Sequence, residues 1–137
     1  MKYYSDKNKN LCADLKTAVL EGLAPDGGLF IPENIPLLSQ SFLDSLHNFS
    51  FSEIAFEVLK PYVSENMNDD VLSSIISRTF TFPAPVIKLS KNLGILELFH
   101  GPTLAFKDFG ARFMANTMSH FIRQENRELN ILVATSG

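Results

Sequence analysis

One stretch restricts the fold more than any other. Ile95-Leu96-Glu97-Leu98-Phe99 is a short apolar run with one charge, Gly101-Pro102 follows it, and a helical pattern then continues to about Gln124. Proline fixes φ and glycine frees it, so Gly101-Pro102 is turn chemistry. Thr103 has a hydroxyl suited to the N-cap, where it accepts from a free first-turn N–H. Advancing about 100° per residue from Phe106 gathers Phe106, Phe109, Phe113, Met114, Met118, Phe121 and Ile122 into one wide apolar arc, with Arg112, Asn116 and Arg123 opposite. Lys107 falls within the apolar arc, and Gly110 and Ala111, three and four residues on, are small enough to leave space beside it. Burial and a positive helix N-terminus both disfavour an ammonium there. Both effects favour the free amine, which is a nucleophile and an imine former. The same position also suits a lysine whose stem lies along the helix and whose head reaches water.

The chain upstream reads as short helices around a small turn-rich start. Asp14 caps a helix from Leu15 to Leu23. Pro25-Asp26-Gly27-Gly28 is a turn, and Leu29-Phe30-Ile31 a short strand closed by Pro32. That glycine pair opens no helix, so it lacks the arrangement that cradles phosphate. Residues 35–49 are expected as one short helix with Leu38, Phe42, Leu43 and Leu46 inward. Ser50-Phe51-Ser52-Glu53 is a capping box. Its helix turns Ile54, Ala55, Val58 and Leu59 inward and is expected to end near Pro61. Asn68 or Asp69 caps a further helix to about Arg78, with Val71, Leu72, Ile75 and Ile76 inward. Phe82-Pro83-Ala84-Pro85 breaks the pattern, and Val86-Ile87-Lys88-Leu89 and residues 95–99 follow as strands. Leu129 to Ala134 has the unbroken apolar character of a strand buried on both faces, so strand, helix and strand make a βαβ unit. Thr135-Ser136-Gly137 then falls at the carboxyl edge of that strand, where ligands gather in open α/β sheets. An apolar strand with no covering helix after it is expected of a piece of a longer protein.

Two blocks together carry a family resemblance. Phe99-His100-Gly101-Pro102-Thr103-Leu104-Ala105-Phe106-Lys107-Asp108-Phe109-Gly110 resembles the pyridoxal-phosphate lysine motif of threonine synthases. Gly22-Leu23-Ala24-Pro25-Asp26-Gly27-Gly28-Leu29-Phe30-Ile31-Pro32-Glu33 resembles that family's N-terminal segment, in the same order. The resemblance implies an α/β fold: a small α-rich N-terminal domain over residues 1–82, then the first βαβ part of a fold type II domain, incomplete, over 83–137. A short strand at the very start is implied as well.

The resemblance also implies chemistry. Lys107 would hold pyridoxal 5′-phosphate, an electron sink, and its amine would move protons. O-phospho-L-homoserine would lose phosphate by γ-elimination and gain water at Cβ to give L-threonine. Thr135, Ser136 and Gly137 match the start of the loop that binds the substrate carboxylate; taken alone, they are equally an ordinary turn. Phe106 and Phe109 line the cofactor ring or belong to the core. His100 sits beside the cofactor, orients Lys107, or is a turn histidine bonded to backbone. Asp108 complements the helix dipole and lies four residues from Arg112, within pairing reach. The family's phosphate-binding glycine loop has no counterpart before Gly137, so this chain alone is expected to be inactive. Two other readings stand beside the enzyme: an inert truncated module, and a related lyase with a different phospho-substrate.

Composition excludes other classes. The chain has 137 residues, 45% hydrophobic and 20% charged, with a net charge of −3. That describes an ordinary globular protein with one core. No basic block points to nucleic acid, and no apolar run nears the ~20 residues that span a bilayer. The start carries no signal-peptide h-region. The single cysteine, Cys12, has no internal disulfide partner and fits a cytoplasmic protein. One cysteine and scattered histidines do not make a zinc site. Self-association is expected through the apolar face that the missing part would cover.

Overall fold

The computed structural model describes residues 1–125, 128, 130 and 131. The amino-terminal layer is a three-stranded antiparallel sheet in the order β2-β1-β3, made of β1 (Tyr3–Ser5), β2 (Cys12–Ala13) and β3 (Phe30–Pro32). The strand implied at the chain's start is therefore its middle strand. Helix α1 (Leu15–Glu21) links β2 to β3, with the Asp14 carboxylate accepting from Thr17 N at 2.9 Å. That bond holds the Asp14 carboxyl below the usual carboxylate range. Gly22 ends α1 with φ 71°, a left-handed turn that a residue with a Cβ rarely adopts.

The described residues form five α-helices, and all but the second contribute to the core. After α2 (Gln40–Asp44) and a 3-10 turn at Leu46–Asn48 come α3 (Phe51–Val63), α4 (Asp69–Thr79) and α5 (Lys107–Glu125). The capping box at Ser50 and Glu53 is complete, and it lowers the Glu53 pKa. Helix α3 packs on α4, and α5 packs on both α4 and α1. Leu15 of α1, Ala55 and Val63 of α3, Leu72, Ile75 and Ile76 of α4 and Phe121 of α5 share one core with Tyr3 and Met67. The Tyr3 hydroxyl donates to the Tyr62 carbonyl at 2.9 Å. Burial, then Tyr62 and Glu65, push that phenol up to about 12.

The structure departs from expectation in several places, each with a physical reason. Residues 35–49 are not one helix. The chain stays irregular until Ser39 caps α2, and Leu37 is 96% exposed. Pro36 disfavours a helical Ile35, so the turn forms late. Helix α3 does not stop near Pro61. It runs two residues further to Val63, because Val63 is buried and Ser64 N still reaches the Lys60 carbonyl.

Strands β4 (Val86–Ser90) and β5 (Leu93–Leu96) form an antiparallel hairpin through a two-residue loop. The strand expected over 95–99 thus begins earlier and stops at Leu96. Among the described residues the hairpin packs closely on no other element, and Val86, Leu93 and Leu96 are each more than half exposed. The strand expected over 129–134 lies largely outside the described residues. So do the carboxylate-loop residues Thr135, Ser136 and Gly137. Among the described residues no helix is long and apolar enough to cross a membrane.

Candidate functional site

The site is the turn that delivers α5. Helix α5 begins at Lys107, three residues later than a Thr103 cap requires. Thr103 has the opposite role from the one expected. Its N–H and its hydroxyl both donate to the Asp108 carboxylate, at 2.9 and 2.7 Å. Asp108 is 5% exposed and closes the loop like a clasp from inside the first helical turn. Gly101 is buried directly against it, and a Cβ there would collide with the Asp108 carboxylate. Leu104, at the crest of the loop, has φ 59°, uncommon for a residue with a branched side chain. Such conformations persist only where surrounding bonds enforce them, and they concentrate at functional sites. Here the clasp supplies that enforcement, three residues before Lys107.

The rotation of α5 is the main correction to the sequence reading. Its buried side is Asp108, Thr117 and Phe121, not the whole apolar arc. Arg112 was placed opposite the core, yet it faces α4. Its Nε donates to the Thr79 carbonyl at 2.9 Å, and its Nη2 to the Arg78 carbonyl at 2.7 Å and to Thr81 Oγ1 at 3.1 Å. The guanidinium also lies 5.8 Å from the Phe82 ring centroid. A helix leaves its last carbonyls without partners, and Arg112 fills that vacancy for α4. Asn116 joins it, donating to Thr79 Oγ1 at 3.3 Å. Arg112 thus bonds α4 rather than Asp108, as sequence spacing had allowed.

The apolar arc is consequently split. Phe121 enters the core, and Phe113 packs against it. Phe109 joins an aromatic cluster with Phe51, Phe80 and Phe82, its centroid 4.7 Å from that of Phe82. Phe109 thus packs among three other rings, as its second reading has it, and also borders the groove beside Lys107. Phe106 and Met114 stay at least half exposed. Lys107 lies with them and is exposed, not inward-facing as the arc implied. The expectation of a desolvated amine does not hold in this chain. Lys107 is one residue from buried Asp108, about 100° round the helix from it.

The space beside the lysine does exist. Phe106, Lys107, Phe109, Gly110, Ala111 and Met114 line an open groove of about 480 Å³. Gly110 and Ala111 leave its floor without bulky side chains. The His100 imidazole is held elsewhere, with Nε2 donating to Glu97 Oε2 at 2.7 Å and the ring 4.7 Å from that of Phe99. Its partner is a carboxylate, where the turn reading had a backbone group.

Comparison with known proteins follows the same lines. Residues 2–80 match the family model described as threonine synthase N terminus. The chain belongs to the threonine synthase N-terminal family. The threonine synthase of Escherichia coli K12 is 38% identical over 137 residues, all of this chain and 32% of that protein. That of Buchnera aphidicola from Schizaphis graminum is 41% identical over 138 residues, again 32% of its length. The PLP-bound threonine synthase of Brucella melitensis superposes with a TM-score of 0.85 at 32% identity, covering 92% of this chain and 28% of that one. The chain therefore spans about a third of these threonine synthases, and its α/β architecture is that of their amino-terminal region.

The Asp108 clasp was not found from sequence, because an acidic residue in a first turn is ordinarily explained by the helix dipole. Asp108→Asn keeps the shape but weakens a charge-assisted pair of hydrogen bonds, and should cost about 1–2 kcal/mol of unfolding free energy. Gly101→Ala forces a methyl into the same space, with a cost of about 1–3 kcal/mol. Urea denaturation measures both, and wild-type midpoints for the two variants would contradict the clasp.

Proposed function

We propose that this chain is the amino-terminal part of a threonine synthase in which Lys107 carries pyridoxal 5′-phosphate. The whole protein would convert O-phospho-L-homoserine and water to L-threonine and phosphate. The observation that carries this reading is Lys107 at the first position of α5, on the rim of an apolar groove. The groove fits an aromatic aldehyde. Phe106 and Met114 offer apolar walls, and Gly110 and Ala111 leave room for a flat ring. Bound, the cofactor would supply an electron sink for carbanion chemistry. The chain's own part is to hold the ring at Lys107 and to move protons with that amine once it is released. The Asp108 clasp fixes the helix start and so the direction from which Lys107 approaches. We assign Thr135, Ser136 and Gly137 to the substrate carboxylate, whose charge suits hydroxyls and free backbone N–H groups.

In the whole protein we divide this region into 1–82 and 83–137, at the irregular segment between α4 and β4. Desolvation of the Lys107 amine would then come from parts of the threonine synthases beyond the third matched here. The chain alone would bind the cofactor weakly and turn nothing over. An exposed, unpaired Cys12 is compatible with a cytoplasmic protein. The test is chemical. The chain is incubated with pyridoxal phosphate, reduced with borohydride, digested and mapped. We expect label concentrated at Lys107, lost in Lys107→Ala, and no threonine formed. Label spread evenly over Lys88, Lys91 and the other lysines would contradict the reading.

The same chain should self-associate through the β4–β5 hairpin. Its Val86, Leu89, Leu93 and Leu96 side chains are all more than half exposed, and a lone hairpin is marginal in water. Sedimentation velocity should show concentration-dependent dimers that Val86→Lys with Leu93→Lys removes. A strict monomer at high concentration would reject the association.

A further inference from the structure

A second cleft lies at the far end of α5, about 20 Å along the helix axis from Lys107. It has a volume of about 350 Å³ and lies between α4 and α5, lined by Val71, Ser74, Arg78, Ser119, His120, Arg123 and Gln124. Six of these seven side chains offer hydrogen-bond donors, and none is a carboxylate. Neither Arg78 nor Arg123 has an ion-pair partner among the described residues. The chain as a whole carries a net charge of −3, so two unneutralised guanidinium groups on one cleft are a local reversal of sign. Each arginine alone is explained by its place in the last turn of its helix, where a cation complements the dipole. That explanation does not account for two serines, a histidine and a glutamine lining the same space.

We propose that the α4–α5 cleft binds a phosphate group, either free or at the end of a small phosphomonoester. Arg78 and Arg123 would supply the charge and the paired N–H donors that match tetrahedral oxyanions, with Ser74 and Ser119 hydroxyls completing the shell. The inference is independent of the role given to Lys107.

His120 provides a reporter on the cleft wall. Burial, then the Arg78 charge, hold its pKa below the usual imidazole value. On its own helix it is 3.1 Å from the Gln124 amide and three residues from Arg123. The charged pair nearest along α5 is Glu125 with Lys16 of α1. A bound dianion would offset the Arg78 effect and raise the His120 pKa.

The test is an NMR titration of the intact chain with sodium phosphate, against sodium chloride at matched ionic strength. We expect saturable shifts confined to residues 71–78 and 119–124, and an upward-moving His120 titration. Arg78→Gln or Arg123→Gln should weaken binding about tenfold each, as loss of one charge-assisted contact implies. Neither guanidinium bonds within the described fold, so both variants should keep the parent spectrum elsewhere. O-phosphoethanolamine is the second arm. Shifts at the same residues assign the cleft to phosphomonoesters, and their absence restricts it to free phosphate. Equal responses to phosphate and chloride, or undiminished phosphate binding in both variants, would overturn the proposal.

Discussion

The guanidinium of Arg112 is the joint on which the rest of this structure depends. Helix α4 ends with carbonyls that its own turn cannot satisfy, and Arg112 reaches across from α5 to bond those of Arg78 and Thr79. A charged donor is worth more than a neutral one, and leaving the part-buried Thr79 carbonyl without a partner would cost about 1–3 kcal/mol. The bond also fixes which way α5 is turned. With Arg112 and Asn116 directed at α4, Asp108, Thr117 and Phe121 must lie inward. Lys107, Gly110, Ala111 and Met114 then face the open groove.

The Asp108 clasp does for the loop what Arg112 does for the helix. It takes both donors of Thr103, leaves no room for a Cβ at Gly101, and maintains a left-handed Leu104. Together the two devices bring the chain from the exposed β4–β5 hairpin to the start of α5 with little freedom. A reactive amine is useful only if its direction of approach is set in advance. In the threonine synthases the chain matches, this region is less than a third of the solved structure. The groove and the hairpin are the exposed apolar surfaces of this region.

The local signals in the sequence were legible where they were chemical. Asp14, Ser39, Ser50 and Asn68 all cap helices through their side chains, and three of the four were read from residue type and spacing. The α4 core face was likewise visible, since Leu72, Ile75 and Ile76 repeat at helical spacing. What failed was the face of α5. A hydrophobic arc ranks residues by greasiness, and it cannot see that an arginine is wanted by another helix's carbonyls. The arc therefore predicted a buried Lys107 and an outward Arg112, and both were reversed. The Ile35–Phe49 segment failed for a related reason. Its apolar spacing is helical, but Pro36 and the preference of Ser39 for a cap delay the helix to Gln40.

The most direct measurement of the Arg112 joint is amide hydrogen exchange in Arg112→Met, which keeps the side-chain length and removes every donor. The joint predicts faster exchange at the last turn of α4 and the first two turns of α5. Protection at Ile75 and Phe121, deep in the shared core, should change far less. Unchanged protection across Arg78, Thr79 and the start of α5 would contradict it, and the orientation of Lys107 would need another cause.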